Sequence, residues 1–104
     1  MIIRIWKTGI INGHMSDYLK FAEKYSMPMF KQQENILGIL VTSEENVSRV
    51  ISLWPDSDSI LRMEQSDIYK ATVKKIMCGG FLCGEQTTEI FKSPIFFFNK
   101  EIVK

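Results

Sequence analysis

The sequence predicts an α+β fold with the order strand, helix, strand, strand, helix, strand. Three observations carry this expectation. The chain opens on a β-rich run, residues 2–8 (IIRIWKT). Two apolar runs, residues 36–42 (ILGILVT) and 47–54 (VSRVISLW), flank a short polar turn at residues 43–46 and read as a hairpin. Segments with helical spacing precede and follow that hairpin. Together these make the ferredoxin-like βαββαβ pattern.

Each element follows from its residues. In the first strand Ile3 and Ile5 share one face, with Arg4 and Trp6 on the other. Asn12-Gly13 marks a turn. A helix is expected over about residues 15–33, where Met15, Tyr18, Ala22, Tyr25 and Met29 recur at helical spacing. Pro28 lacks an N–H and crowds the preceding turn, so a kink or break is expected near Ser26. Asn35 suits a left-handed helix end.

The corner after the third strand is the most informative stretch of the chain. Pro55 cannot continue a strand ladder. Asp56, Ser57, Asp58 and Ser59 then offer capping oxygens and negative charge to the next helix. That helix begins near Ser57, breaks around residues 65–67 and ends at Gly79-Gly80. A fourth strand is expected at residues 86–92, followed beyond Pro94 by an apolar piece, residues 95–98 (IFFF).

With 104 residues the chain is expected to form one domain, 1–104, with a C-terminal extension from about residue 94. A net charge of +1 gives no basic bias toward nucleic acid. No apolar run is long enough for a membrane span, and Arg4 and Lys7 interrupt the N-terminal apolar stretch as no signal peptide would. A soluble, cytoplasmic protein is the expectation. The middle strands are apolar on both faces, while helices cover only one. With the exposed Phe96-Phe97-Phe98 run, this predicts a homodimer.

At this point the sequence resembles a known group, the antibiotic-biosynthesis-monooxygenase-like domains of the dimeric α/β-barrel superfamily. The residues that carry the likeness are Ile3-Arg4-Ile5-Trp6, the run from Gly13 through Tyr18-Leu19 and Pro28 to Asn35-Ile36-Leu37-Gly38, and the corner Leu53-Trp54 with Ser66 and Tyr69 downstream. The likeness covers roughly residues 2–92. It implies a dimeric barrel and, for an enzyme, oxygenation without metal or organic cofactor. The substrate would be a small, flat, oxidisable molecule held between sheet and helices. The alternative is a non-catalytic dimeric barrel that binds a small ligand or serves an interaction role.

The chain departs from the family's patterns at several positions. Histidines common in the oxygenase-type pattern are replaced by Met63 and Ile68. Val73 stands where the haem-degrading branch carries its axial histidine, and Met63 where that branch has a haem-distorting tryptophan. Lys7 is no counterpart of the strand asparagine. The resemblance therefore implies the fold but no haem.

Few residues bear chemistry. His14, with Asp17 nearby, could act as a base, but its place at a helix start favours a solvated or capping role. No G-x-S-x-G elbow accompanies it. Cys78 and Cys83 match neither redox nor zinc spacing and read as reduced thiols, although a flexible loop could let them pair. One histidine and two cysteines make no zinc set. Lys70, Lys74 and Lys75 read as a solvated helix face.

The candidate ligand pocket is Arg4, Trp6, Trp54 and Tyr69. Trp54 alternatively packs where strand meets helix. If Ile3 and Ile5 pack against the helices, Arg4 and Trp6 face the other side of the sheet, where the dimer encloses a cavity. There they could hold an acidic or phenolic ligand, or Arg4 could pair with Glu89. Arg4 and Trp6 packed under the helices, or both in open solvent, would end this pocket hypothesis altogether.

Overall fold

The computed structural model describes residues 1–99. The C-terminal extension expected from about residue 94 therefore lies partly outside the described residues. Four strands form one antiparallel sheet in the order β2-β3-β1-β4: β1 Ile2–Ile10, β2 Gly38–Val41, β3 Val47–Trp54 and β4 Leu82–Lys92. This is the ferredoxin-like βαββαβ fold. The helical layer comprises α1 Met15–Phe21, a π-helical turn Ala22–Ser26, α2 Met27–Lys31, α3 Ser57–Gln65 and α4 Asp67–Met77.

The kink expected near Ser26 takes a particular form. Pro28 offers no N–H and crowds the carbonyl four residues back. The helix widens ahead of it into a π turn, closed by Met27 N–H donating to the Ala22 carbonyl. The extra residue shifts the phase of the helix face. Tyr18, Ala22, Ser26, Met29 and Phe30 are buried, and Tyr25, expected inside, is only half-buried. Lys24 and Lys75 lie over its ring at 5.3 and 4.5 Å. Asn35, at φ 70°, makes the left-handed turn into β2.

The Trp54-Pro55 corner folds as its residues dictate. Asp56 caps α3, accepting from the Ser59 N–H and hydroxyl, both at 2.8 Å, and these bonds hold its carboxyl below the usual carboxylate range. Ser66 ends α3 and caps α4: its hydroxyl donates to the Met63 carbonyl at 2.6 Å and accepts from the Tyr69 N–H at 3.3 Å. Among the described residues no helix is long and apolar enough to cross a membrane.

Register assigns the sheet faces. Ile2, Arg4, Trp6 and Thr8 pair with Trp54, Ser52, Val50 and Ser48 of β3 on the side toward the helices. Ile3 and Ile5 pair with Leu53 and Ile51 on the opposite side, joined there by Leu40, Phe91 and Glu89. Leu40 and Phe91 are exposed. The expectation that Ile3 and Ile5 pack against the helices is therefore wrong. Burying that pair avoids burying a charge, but the even positions also carry Ile2 and Ile10, and Arg4 finds partners on the helices.

β4 begins at Leu82, four residues before the expected start, and carries a bulge. Lys7 pairs with Thr87 and Gly9 with Cys83, so Gly84, Glu85 and Gln86 all lie opposite Thr8. Gly9 is required there: a Cβ would come within 2.7 Å of the Cys83 carbonyl oxygen. Residues 95–98 have no regular structure, and Ile95 and Phe97 are 89% and 84% exposed.

Candidate ligand-binding site

On the helix-facing side of the sheet Arg4 and Trp6 of β1 and Val50 of β3, which pairs with Trp6, line a cavity. The cavity, of about 280 Å³, lies between sheet and helices. Its apolar wall includes Met29, Phe30, Val50 and Ile76, and its polar groups come from Arg4, Tyr69, Tyr18, Ser26, Gln86 and Thr72, whose hydroxyl donates to the Ile68 carbonyl at 2.8 Å. Trp6 lies between Arg4 and Thr8 along the floor.

Arg4 is 3% exposed. A guanidinium buried this deeply needs acceptors. Its Nε donates to Glu64 Oε2 at 3.1 Å, an ion pair whose carboxylate side remains a third exposed. Its Nη2 donates to the Tyr69 hydroxyl at 2.9 Å. The Ser66 cap is what brings this about. It ends α3 just after Glu64 and starts α4 so that Tyr69 falls in its first turn, placing both partners over Arg4.

At the other end of the cavity Tyr18, 1% exposed, lies 2.9 Å from the Ser48 hydroxyl. Burial raises the Tyr18 pKa, so the phenol stays protonated at neutral pH. Gln86, aimed inward by the bulge, donates to Thr8 Oγ1 at 3.1 Å.

The expected residues divide. Arg4, Trp6 and Tyr69 come together on one cavity. They do so under the helices, which ends the expected pocket on the outer sheet face; the cavity seen here is a different one, on the opposite side of the sheet. Glu89, which pairs with Ile5 on that outer face, is not the partner of Arg4; Glu64 is. Trp54 does not line the cavity. It is fully buried in a core cluster with Ile2, Met29, Phe30, Ile60 and Met63, and its indole N–H has no hydrogen-bond partner among the described residues.

His14 stands at the N-cap of α1 without a side-chain capping bond and does not line the cavity. Cys78 and Cys83 are free and exposed. Lys70, Lys74 and Lys75 are exposed on α4. Among the described residues no three of His, Cys, Asp and Glu are grouped to hold a metal ion.

Four polar residues at the site escape the sequence reading: Tyr18, Ser26 and Gln86 of the lining, and Glu64, the partner of Arg4. Tyr18 carries a signal, its inward place in the helical period, but that reads equally as core. Ser26 gives none, because the π turn that rotates it inward is a response to Pro28 and not a pattern in the residues. Glu64 and Gln86 depend on a helix junction and a bulge.

No protein-family model matches the sequence, and no curated protein is similar to it. Solved structures do match. One, an antibiotic biosynthesis monooxygenase, superposes with a TM-score of 0.73 at 14% identity, covering 89% of this chain and 98% of that one. The fold is that of the antibiotic biosynthesis monooxygenases. SnoaB, a cofactor-independent oxygenase from Streptomyces nogalater, matches with a TM-score of 0.75 at 10% identity over 91% of this chain and 94% of that one. A protein of unknown function from Nitrosomonas europaea, NE2512, matches with a TM-score of 0.78 at 9% identity over 94% and 93%. At such identities the likeness is one of fold.

Proposed function

We propose that this chain is a cytoplasmic, homodimeric monooxygenase-like protein that holds a flat, oxidisable organic molecule in the cavity between sheet and helices and oxygenates it without a cofactor. One observation carries the reading: an apolar cavity, walled by Trp6 and Phe30, has the buried Arg4 and the half-buried Tyr69 as donors at one end. Apolar walls with a few convergent polar groups are what a small-molecule site requires. The shared fold with a cofactor-independent oxygenase supports the same reaction class.

The chemistry can be written for a cyclic aryl ketone with an activated CH₂. Arg4 and Tyr69 donate to the carbonyl oxygen and stabilise the negative charge that builds there as the CH₂ loses a proton to water. The carbanion reduces O₂ directly. One oxygen atom becomes a new carbonyl at that carbon, and the second leaves as water with the two hydrogens.

A second reading is binding without turnover. It is favoured by the character of the lining, which among the described residues includes no His, Asp, Glu or Lys to take the proton. Anthrone, a three-ring ketone with such a CH₂, separates the two readings. Conversion to anthraquinone at pH 7 faster than without protein, with one O₂ consumed per product, supports the oxygenase. Saturable binding without conversion supports the binder. Neither binding nor conversion overturns both.

A further inference from the structure

We infer that the cavity selects its ligand by hydrogen-bond polarity: it takes an uncharged flat molecule with an acceptor such as a ketone oxygen at the Arg4–Tyr69 end and a hydroxyl or N–H donor at the Tyr18–Gln86 end. This inference rests on the reading of the cavity as a ligand site and adds the chemical class and orientation of what binds there.

The Arg4–Tyr69 end has only hydrogens to offer. A guanidinium carries five N–H donors and no acceptor. Two are used, on Glu64 and Tyr69. The Tyr69 hydroxyl already accepts from Arg4, so its own proton is left to donate. Glu64 also cancels the Arg4 charge. A carboxylate ligand would therefore shed its hydration without meeting net positive charge, whereas a neutral carbonyl accepts the same hydrogen bonds at far lower desolvation cost.

The opposite end has only lone pairs to offer, and the proton count shows why. Ser48 Oγ lies 2.7 Å from the Thr42 carbonyl and 2.9 Å from the Tyr18 hydroxyl. A carbonyl cannot donate, so the single Ser48 proton goes to Thr42, and Tyr18 must donate to Ser48. The Tyr18 oxygen then keeps its lone pairs as an acceptor on a residue that lines the cavity. The same logic orients Gln86. Thr8 Oγ1 gives its proton to the Gly9 carbonyl at 3.0 Å, and the Gly84 carbonyl can only accept. Both amide hydrogens of Gln86 are thereby used, at 3.1 and 3.2 Å, which leaves its Oε1 as an acceptor without a partner among the described residues.

The two ends are separated along the same strand. Arg4 and Thr8 lie four residues apart on β1, about 13 Å at ~3.3 Å per residue. Trp6 supplies the apolar floor between them, opposite Val50. Two or three fused rings span that distance. Ser26 faces the space between the ends; it is 8% exposed, and among the described residues its hydroxyl has no hydrogen-bond partner. A hydroxyl both donates and accepts, so Ser26 can bind a ring substituent of either kind without altering the polarity of the ends.

Three naphthalene probes test the inference by fluorescence titration at pH 7: 6-acetyl-2-naphthol, its methyl ether, and 6-hydroxy-2-naphthoic acid. The naphthol ketone should bind roughly tenfold more tightly than the ether, which has lost the donor, and than the acid, which is anionic. Tyr18→Phe should weaken the naphthol ketone about tenfold and leave the ether unchanged. In that variant Ser48 keeps its Thr42 partner, and an unchanged far-UV spectrum confirms folding. Equal binding of ketone and ether, or tighter binding of the acid, overturns this inference while the ligand-site reading stands. Failure of all three to bind overturns both.

Discussion

Arg4 on β1 donates through Nη2 to the Tyr69 hydroxyl on α4 at 2.9 Å, and this bond ties the floor of the cavity to its roof. The same guanidinium holds Glu64 of α3 at 3.1 Å. Sheet and both later helices therefore converge on one buried charge. Glu64→Gln should lower unfolding stability by about 1–2 kcal/mol, less than the ~3–5 kcal/mol for breaking a fully buried pair, because the carboxylate side is partly hydrated. Tyr69→Phe should cost about 1 kcal/mol. Urea unfolding measures both, and unchanged midpoints in the two variants would contradict the network.

Tyr18 makes stability pH-dependent at the alkaline end. Burial raises its pKa above the ordinary phenol value. The unfolded chain therefore loses this proton first as pH rises through about 10. The contribution is fully present below that pH and is lost as pH climbs toward the folded value. Urea midpoints between pH 9 and 11 should fall more steeply for the wild type than for Tyr18→Phe. Parallel curves would show that Tyr18 is not buried as a neutral phenol.

The outer face of the sheet predicts association. Ile3, Ile5, Ile51 and Leu53 lie there beside the exposed Leu40 and Phe91, with no helix among the described residues over them. A second copy meeting this face through an isologous contact would cover it. Sedimentation at micromolar concentration should give the dimer mass, and Ile51→Lys should shift it toward monomer. A wild-type monomer would refute the dimer.

Much of the fold is legible in the residues because local chemistry sets it. Pro55 and Asp56 define the corner, Ser66 divides α3 from α4, and Asn35 turns the chain into β2. The strand faces were not legible in the same way. On β1 the choice between Ile3/Ile5 and Ile2/Arg4/Trp6 depends on whether Arg4 has a partner, and that partner is 60 residues away. Ser26 was hidden for a different reason: a single π turn rotates every later side chain on its helix. Arg4, Trp6 and Tyr69 share a cavity, but on the face opposite to the one strand alternation and charge burial favoured for Arg4 and Trp6.

Haem should not bind. Within the group that the sequence resembles, the haem-degrading branch holds and distorts its haem with a histidine and a tryptophan, and the sequence match puts Val73 and Met63 there. Met63 is fully buried in the core, and the single histidine, His14, lies outside the cavity lining. Titration with haemin should give no stoichiometric Soret shift. A saturable shift at one haem per chain would contradict this.

The central claim is that the cavity beneath the helices is the ligand site. Val73 lines it from α4 with 37% of its surface exposed, so a larger side chain there can block the cavity without disturbing the core. Calorimetric titration of anthrone into wild type and Val73→Trp tests the claim most directly. The account predicts one saturable site per chain in the wild type and none in Val73→Trp at an unchanged melting temperature. Equal binding by the two proteins, or no saturable heat in the wild type, would contradict it.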